Sequence, residues 1–474
     1  MGSGRMDEVQ VDEAAGGGDA AGRDGTAARR SLVVRVVRRW WPLLVAVLLA
    51  LVAWQSVVHG RERAAAERLR ETPGVLASTV SPPLDVTPWG APDTTGVLTA
   101  MTAPLDGFVV AADDGGRGRP RAMVGVDVTN GSERWRVAAP TDDVTGSEPA
   151  GATCGDADGS LAWCSFTSVS AFGQATFEET ASLVLVDVAT GTVRPTPSLP
   201  PASSVVVVGD VAVTVSRLGE SAAVDATSLS TGQTRWHVDL AEPAGRLVGA
   251  APLRVTVQGD RVLVSGAATS WLLDPADGRV VATGRDVRQL RGDELVAVDG
   301  AVTRLLGTDG RGTATADGAP VVIEPDDGTA PGVMLLTRLD GSIDPLLRAV
   351  DAANGDVLWE RRTDAGTFTQ VVLLDGVLYG TGRSGLWAVD AVTGEEVWST
   401  STGMRAGFTL MTDGVSLLCT ERDSEHAGGI VLSAYDLRDG GRRWSEPLPE
   451  EITGVQGVNG VLLGYGLGQT YVVQ

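Results

Sequence analysis

The chain contains no lysine. All 38 of its basic residues are arginines, set against 60 acidic residues for a net charge of −22 over 474 residues. The absence of lysine excludes Schiff-base chemistry, a phosphate-loop lysine and a lysine general base. Histidine is nearly absent too: His59, His237 and His426 stand far apart and make no ligand spacing. No catalytic or metal-ligating set is therefore expected. Three cysteines, Cys154, Cys164 and Cys419, are too few for a disulfide-built scaffold or a zinc ribbon. With 61 glycines, 23 prolines and 43% apolar residues, the composition excludes a wholly disordered chain and supports a sizeable core. Outside residues 1–39 and 61–71, the chain holds 27 arginines against 51 acids. Such a surface repels a phosphate backbone, so no nucleic-acid partner is expected.

Residues 1–39 begin with a tract of Gly, Ala, Asp and Arg that cannot bury enough surface to offset its ordering entropy, and read as a disordered cytoplasmic tail. Residues 40–58 (WWPLLVAVLLALVAWQSVV) carry no charge and, at 1.5 Å per residue, span the hydrocarbon thickness of a bilayer as one helix. Trp40, Trp41 and Trp54 lie near its ends, where indoles favour the membrane interface. No small-residue cleavage site follows, which points to an uncleaved signal anchor. Arg35, Arg38 and Arg39 crowd the preceding boundary, so the N-terminus is expected in the cytoplasm and the remainder outside the membrane. Residues 59–83 read as a short helical stalk followed by a Pro-rich linker, and residues 84–474 as one large all-β domain.

The β reading comes from short apolar runs introduced by Asp-Gly, Gly-Asp or Asn-Gly, the signal of tight hairpins. Beneath them lies a repeat of the form A-x-D-x-x-x-G-x-x-x-W. It occurs as Asp127–Gly131–Trp135, Asp351–Gly355–Trp359, Asp390–Gly394–Trp398 and Asp436–Gly440–Trp444. Weaker copies are Asp187–Gly191, Asp274–Gly278 and Gly232–Trp236, the last preceded by Asp225. The Asp can accept backbone N–H groups in a turn, the Gly supplies a positive φ, and the indole four residues on is placed to pack against a neighbouring unit. Successive Asp positions are separated by 60, 38, 49, 77, 39 and 46 residues, mostly near the length of one four-stranded propeller blade. The gap of 77 accommodates two blades, the second built around Leu305–Gly310.

This repeat resembles the tryptophan-docking motif of the pyrroloquinoline quinone (PQQ)-like β-propeller superfamily, over roughly residues 96–474. The resemblance implies an eight-bladed propeller of four-stranded antiparallel blades. The segment around Trp89 resembles an orphan outer strand, expected to pair with the C-terminal strands and close the ring.

Enzymes of that family hold the quinone and a calcium ion beside an adjacent Cys-Cys disulfide, and this chain has no adjacent cysteines. No catalytic, cofactor-binding or metal-binding residues are therefore assigned. The acidic turns at 156–159, 274–278 and 324–328 lack the spacing of a dedicated calcium loop and read as solvated turns. Cys154 and Cys164 flank a tight turn and can face each other closely enough for a disulfide, whereas Cys419 reads as a core thiol. The resemblance is nearest to non-catalytic propellers acting in envelope assembly, and the lysine-free, Arg-rich composition resembles proteins of high-GC actinobacteria. The expected role is a membrane-anchored binding or scaffold module with an envelope protein or glycan partner. The alternatives are a quinoprotein oxidoreductase and a ligand-sensing ectodomain whose short tail recruits a cytoplasmic partner.

Overall fold

The computed structural model describes residues 64–89 and, apart from short stretches of connecting loop, residues 98–474. The chain divides into residues 1–64 and a unit spanning residues 65–474. The span expected over residues 40–58 lies outside the described residues. Among the described residues, no helix is long and apolar enough to cross a membrane.

Residues 98–474 fold into successive antiparallel meanders, one per blade. Blade 1 comprises Leu98–Thr99, Phe108–Asp113, Ala122–Asp127 and Glu133–Ala138. Blade 2 runs from Ser147–Asp156 to Val193–Arg194, blade 3 from Ser204–Val208 to Thr234–Ala241, and blade 4 from Arg254–Gln258 to Val280–Gly284. Blade 5 spans Asp286–Gln289 to Gly312–Asp317, blade 6 Ala319–Pro320 to Val357–Arg362, blade 7 Val371–Leu374 to Glu396–Ser401, and blade 8 Leu410–Thr412 to Arg442–Pro447.

A ninth blade follows, and this corrects the expected count of eight. Each of the eight preceding units already has four strands of its own, including the unit around Leu305–Gly310. Gly454–Val458, Val461–Gly466 and Gln469–Val473 are therefore surplus to them. They form a separate sheet whose outer strand is Val86–Pro88, paired antiparallel with Gln469–Val473. The ring is closed by joining the two ends of the domain.

Burial follows radial position. Inner and middle strands such as Phe108–Asp113 are buried along their whole length, because sheet faces pack against blades on both sides. Outer strands such as Glu133–Ala138 alternate between exposed and half-buried residues, the pattern of a strand with one packed face.

Residues 65–89 belong to this unit. Residues 65–70 are helical, and Leu69 and Val75 join the core around Trp398 and Tyr435. The chain then runs as a strap across blades 8 and 9. Leu76 N donates to Thr412 O at 2.8 Å, Ala77 N to Gly460 O at 2.8 Å, and Val80 N to the buried Asp413 carboxylate at 3.1 Å. Asp413 also accepts from Val415 N and Ser416 N at 2.9 and 2.7 Å, so both of its oxygens have backbone donors.

Candidate functional site

Two features carry chemistry: the joints between blades, and a cavity where the regular meander is interrupted. The joints are built from the repeat. In each full copy, the Gly N–H donates back to the Asp carbonyl while the Asp N–H donates to the carbonyl five residues on. In blade 7 these are Gly394 N to Asp390 O and Asp390 N to Glu395 O, both 2.9 Å. The same pair of bonds closes the turns at Asp127–Gly131, Asp187–Gly191, Asp274–Gly278, Asp351–Gly355 and Asp436–Gly440. Each of these glycines has positive φ. The Asp side chain completes the turn: Asp390 Oδ1 accepts from Val392 N and Thr393 N at 3.0 and 2.8 Å.

The indole lies between its own blade and the next. Trp359 pairs across the strands with Ala349, Trp398 with Ala388, and Trp135 with Gly125. Only a small residue fits beneath the ring: a Cβ on Gly125 would come within 2.4 Å of Trp135. The far side of the ring covers the turn glycine of the following blade. A Cβ on Gly394 would meet Trp359 at 2.5 Å, and one on Gly191 would meet Trp135 at 2.4 Å. The ring N–H then donates to a carbonyl of that turn. Trp135 reaches Val188 O at 3.1 Å, Trp236 Pro275 O at 2.9 Å, Trp359 Ala391 O at 3.0 Å and Trp398 Leu437 O at 3.0 Å. Trp89 does the same from the closing strand, reaching Asp127 O at 3.3 Å, and Gly131 lies against its ring.

Other joints use different residues. The position four after Gly191 is Pro195, and Gly232 of blade 3 faces the ring of Pro197. Gly310 and Gly355 pack against the backbone and small side chains of the preceding outer strands. Trp444 is half-buried and packs, as Leu84, Val86 and Tyr471 do, against the core shared by blades 8 and 9.

Asp225, taken from its spacing as the turn acid of blade 3, sits three residues too early. The turn there runs from Ser228 to Gly232, and Asp210 of the neighbouring hairpin supplies the carboxylate. Asp225 instead accepts from His237, whose other ring nitrogen lies 3.3 Å from Asp239. The hydrogen bond to Asp225 holds the His237 pKa above its ordinary value. Cys154 and Cys164 pair directly across the first two strands of blade 2 and are bonded, while Cys419 is a buried free thiol.

The cavity lies among blades 4, 5 and 6, at the end of the blades that bears the indole-seating turns. The inner strand of blade 6 is only Ala319–Pro320. The chain then leaves the meander, and Ile323–Asp326 adds in parallel to the inner strand of blade 7 before residue 333 returns to blade 6. This detour leaves a cavity of about 590 Å³. Leu290, Val321, Ile323, Met334 and Leu335 give it apolar walls, and Val322 stands 56% exposed within its lining.

Its charged groups are paired, although Arg291 Nη2 is buried without a hydrogen-bond partner. The Arg291 guanidinium pairs with Asp326 and donates to Ala330 O at 2.6 Å, tying the blade 5 hairpin to the detour. Arg288 forks onto both oxygens of Asp286. Burial holds the Glu294 carboxyl above the usual range despite the nearby Arg291. The detour includes the turn at 324–328, so Asp326 and Asp327 are structural: Asp327 accepts from Asp375 N at 2.6 Å. Sequence reasoning missed this site because Arg291 and Asp326 belong to different blades. The one available signal was the long gap between Asp274 and Asp351.

Residues 330–462 match the family model described as outer membrane protein assembly factor BamB, a PQQ-repeat family. That segment carries PQQ-like propeller repeats. A serine/threonine-protein kinase, AfsK of Streptomyces coelicolor, is 32% identical over 117 residues, 23% of this chain. The chain spans only 14% of that curated relative's length. Among solved structures, BamB from Moraxella catarrhalis aligns over 83% of this chain and 98% of its own, with 17% identity and a TM-score of 0.40. Quinohemoprotein alcohol dehydrogenase from Comamonas testosteroni aligns over 82% of this chain and 76% of its own, with 11% identity and a TM-score of 0.40.

Proposed function

We propose that the chain is a membrane-anchored, extracytoplasmic, non-catalytic binding module of the cell envelope, and that the cavity beside blade 6 receives its protein partner. The reading rests chiefly on that cavity. Its walls are apolar and its arginines are paired with carboxylates, an arrangement that grips a partner's side chains. The match of residues 330–462 to an assembly-factor family and the uncharged run at 40–58 support the same reading.

The test is crosslinking in native membranes followed by mass spectrometry, comparing wild type with Val322→Arg. Val322 is exposed, so the substitution leaves the core intact while placing a charge in the cavity. One protein adduct is expected to disappear in the variant. Unchanged adducts, or a quinone absorbance band in the purified chain, would overturn the reading. The topology is tested separately: external protease should digest residues 73–474 in intact, wall-stripped cells, and their protection would place the propeller inside.

A further inference from the structure

Blade 2 departs from the other blades in two ways. Its third strand, Thr176–Asp187, has 12 residues, whereas among the described residues no other third strand exceeds the 8 of Ser221–Ser228. Its second strand, Leu161–Phe172, is equally long. Third strands run into the indole-seating turns, so the surplus of about four residues, ~13 Å, projects from the opposite end of the ring. The outer strand, by contrast, is only Val193–Arg194, paired with Leu185 and Val186. Pro195 and Pro197 follow, and neither has the N–H needed to continue a ladder. The third strand therefore has an open edge from Val184 back to Thr176. Among the described residues, the one main-chain bond to that edge runs from Ala181 N to Ala202 O at 2.8 Å.

Strand alternation identifies the open groups. Ala181 N points away from the second strand, so the main-chain N–H and C=O of Phe177 and Glu179 do as well, while those of Thr176, Glu178 and Thr180 face the second strand. The edge is held in place from behind. The second and third strands pair without a break from Leu161↔Asp187 to Phe172↔Thr176, and the Cys154–Cys164 bond joins the first strand to the second. Arg121 of blade 1 donates to Thr167 O at 2.9 Å and to Gly151 O, tying down the base of the projection. An edge ordered in advance loses less entropy when a partner adds to it. The opposite border of the sheet is blunted: Pro149 and the register shift beside it interrupt the first strand, Ser147–Asp156.

We propose that Thr176–Thr180 is a docking edge that takes an extended, basic segment of a partner protein as an added strand, paired to the main chain of Phe177 and Glu179. Open ladder groups call for another main chain, which an extended peptide supplies. The charge of that peptide follows from the sequence of the projection. Residues 147–151, 167–172 and 176–180 contain Glu148, Glu178 and Glu179 and no arginine. Glu148 and Glu179 share one cross-strand row, both in register with Val169. A second copy of this chain is the wrong occupant, because antiparallel self-pairing centred on this edge sets Glu178 opposite Glu178. A strand bearing arginine or lysine meets the same carboxylates with favourable sign. The inference is independent of the partner proposed for the cavity beside blade 6, since it uses another blade and the opposite end of the ring.

The full chain in detergent is titrated calorimetrically with three end-blocked heptapeptides: alternating arginine and valine, alternating glutamate and valine, and the arginine–valine peptide N-methylated at alternate residues. Saturable binding of the first is expected, with the other two weaker by about tenfold or more. The N-methylated peptide keeps the charge and loses the ladder donors, so it separates strand addition from attraction to an acidic surface. Phe177→Pro removes one outward N–H, spares the glutamates, and should weaken the first peptide by about tenfold. The pair Glu178→Arg and Glu179→Arg keeps every main-chain group and should reverse the preference toward the glutamate–valine peptide, which guards against misfolding of the proline variant. Absence of saturable binding, equal affinity for the N-methylated peptide, or an unreversed preference in the folded double variant overturns the proposal.

Discussion

At the residue scale, the joints depend on a contact that tolerates no extra carbon. Trp359 is buried, its ring lies on Gly394 and its N–H is spent on Ala391 O. Trp359→Ala should cost about 3–5 kcal/mol, the usual range for emptying a buried aromatic site. Trp444→Ala should cost less, because that ring is only half-buried; urea midpoints of the two variants check the order. Gly394→Ala forces an L-residue to φ 72° and drives its methyl into the indole. The backbone alone contributes about 1–2 kcal/mol of that penalty. His237 gives a pH signature of definite sign. Its folded pKa is raised by Asp225, so its stabilising contribution is full below the unfolded value and is lost as pH rises through the folded one. The difference in melting temperature between wild type and His237→Asn should therefore be present in acid and disappear above that upper pKa.

At the scale of strands and turns, the sequence revealed what is local and hid what is not. The Asp–Gly turn is closed by its own six residues, so its spacing exposes it in the sequence. The Ala two residues before the Asp is equally local, fixed by the indole it faces across the hairpin. Blade 3 shows the limit. Ser228 and Asp210 share there the work one Asp does elsewhere, and the nearest acid in the string, Asp225, serves His237 instead. The detour of blade 6 was hidden for a stronger reason. Nothing between residues 321 and 332 announces a parallel pairing with Val371–Leu374, which depends on a strand some fifty residues later. The contact of Arg361 with the Trp387 ring likewise exists only once two blades are side by side. The Cys154–Cys164 bond is local again, bridging residues ten apart on paired strands. Replacing both with serine should lower stability by roughly 2–3 kcal/mol by the chain-entropy account for so short a loop. The measured shift should vanish when the wild type is assayed under strong reductant.

At the scale of the whole molecule, nine blades rather than eight follow from how the ring is sealed. Val86–Pro88 supplies a strand, Trp89 supplies an indole to blade 1, and the strap before them pins blade 8 to blade 9. Removing residues 1–89 should thus act as more than the loss of a linker. It strips one edge from the ninth sheet and leaves the joint to blade 1 without its ring. The truncated chain should melt at lower temperature, and limited proteolysis should nick blade 9 first.

The seam also imposes a schedule on biogenesis. The partner of Val86–Pro88 is Gln469–Val473, separated from it by nearly the entire propeller in sequence. During vectorial synthesis the early strand must wait, unmated, until Gln469–Val473 emerges. An interrupted translation product would therefore present an unlatched circle, recognisable to quality-control proteases by that open border alone.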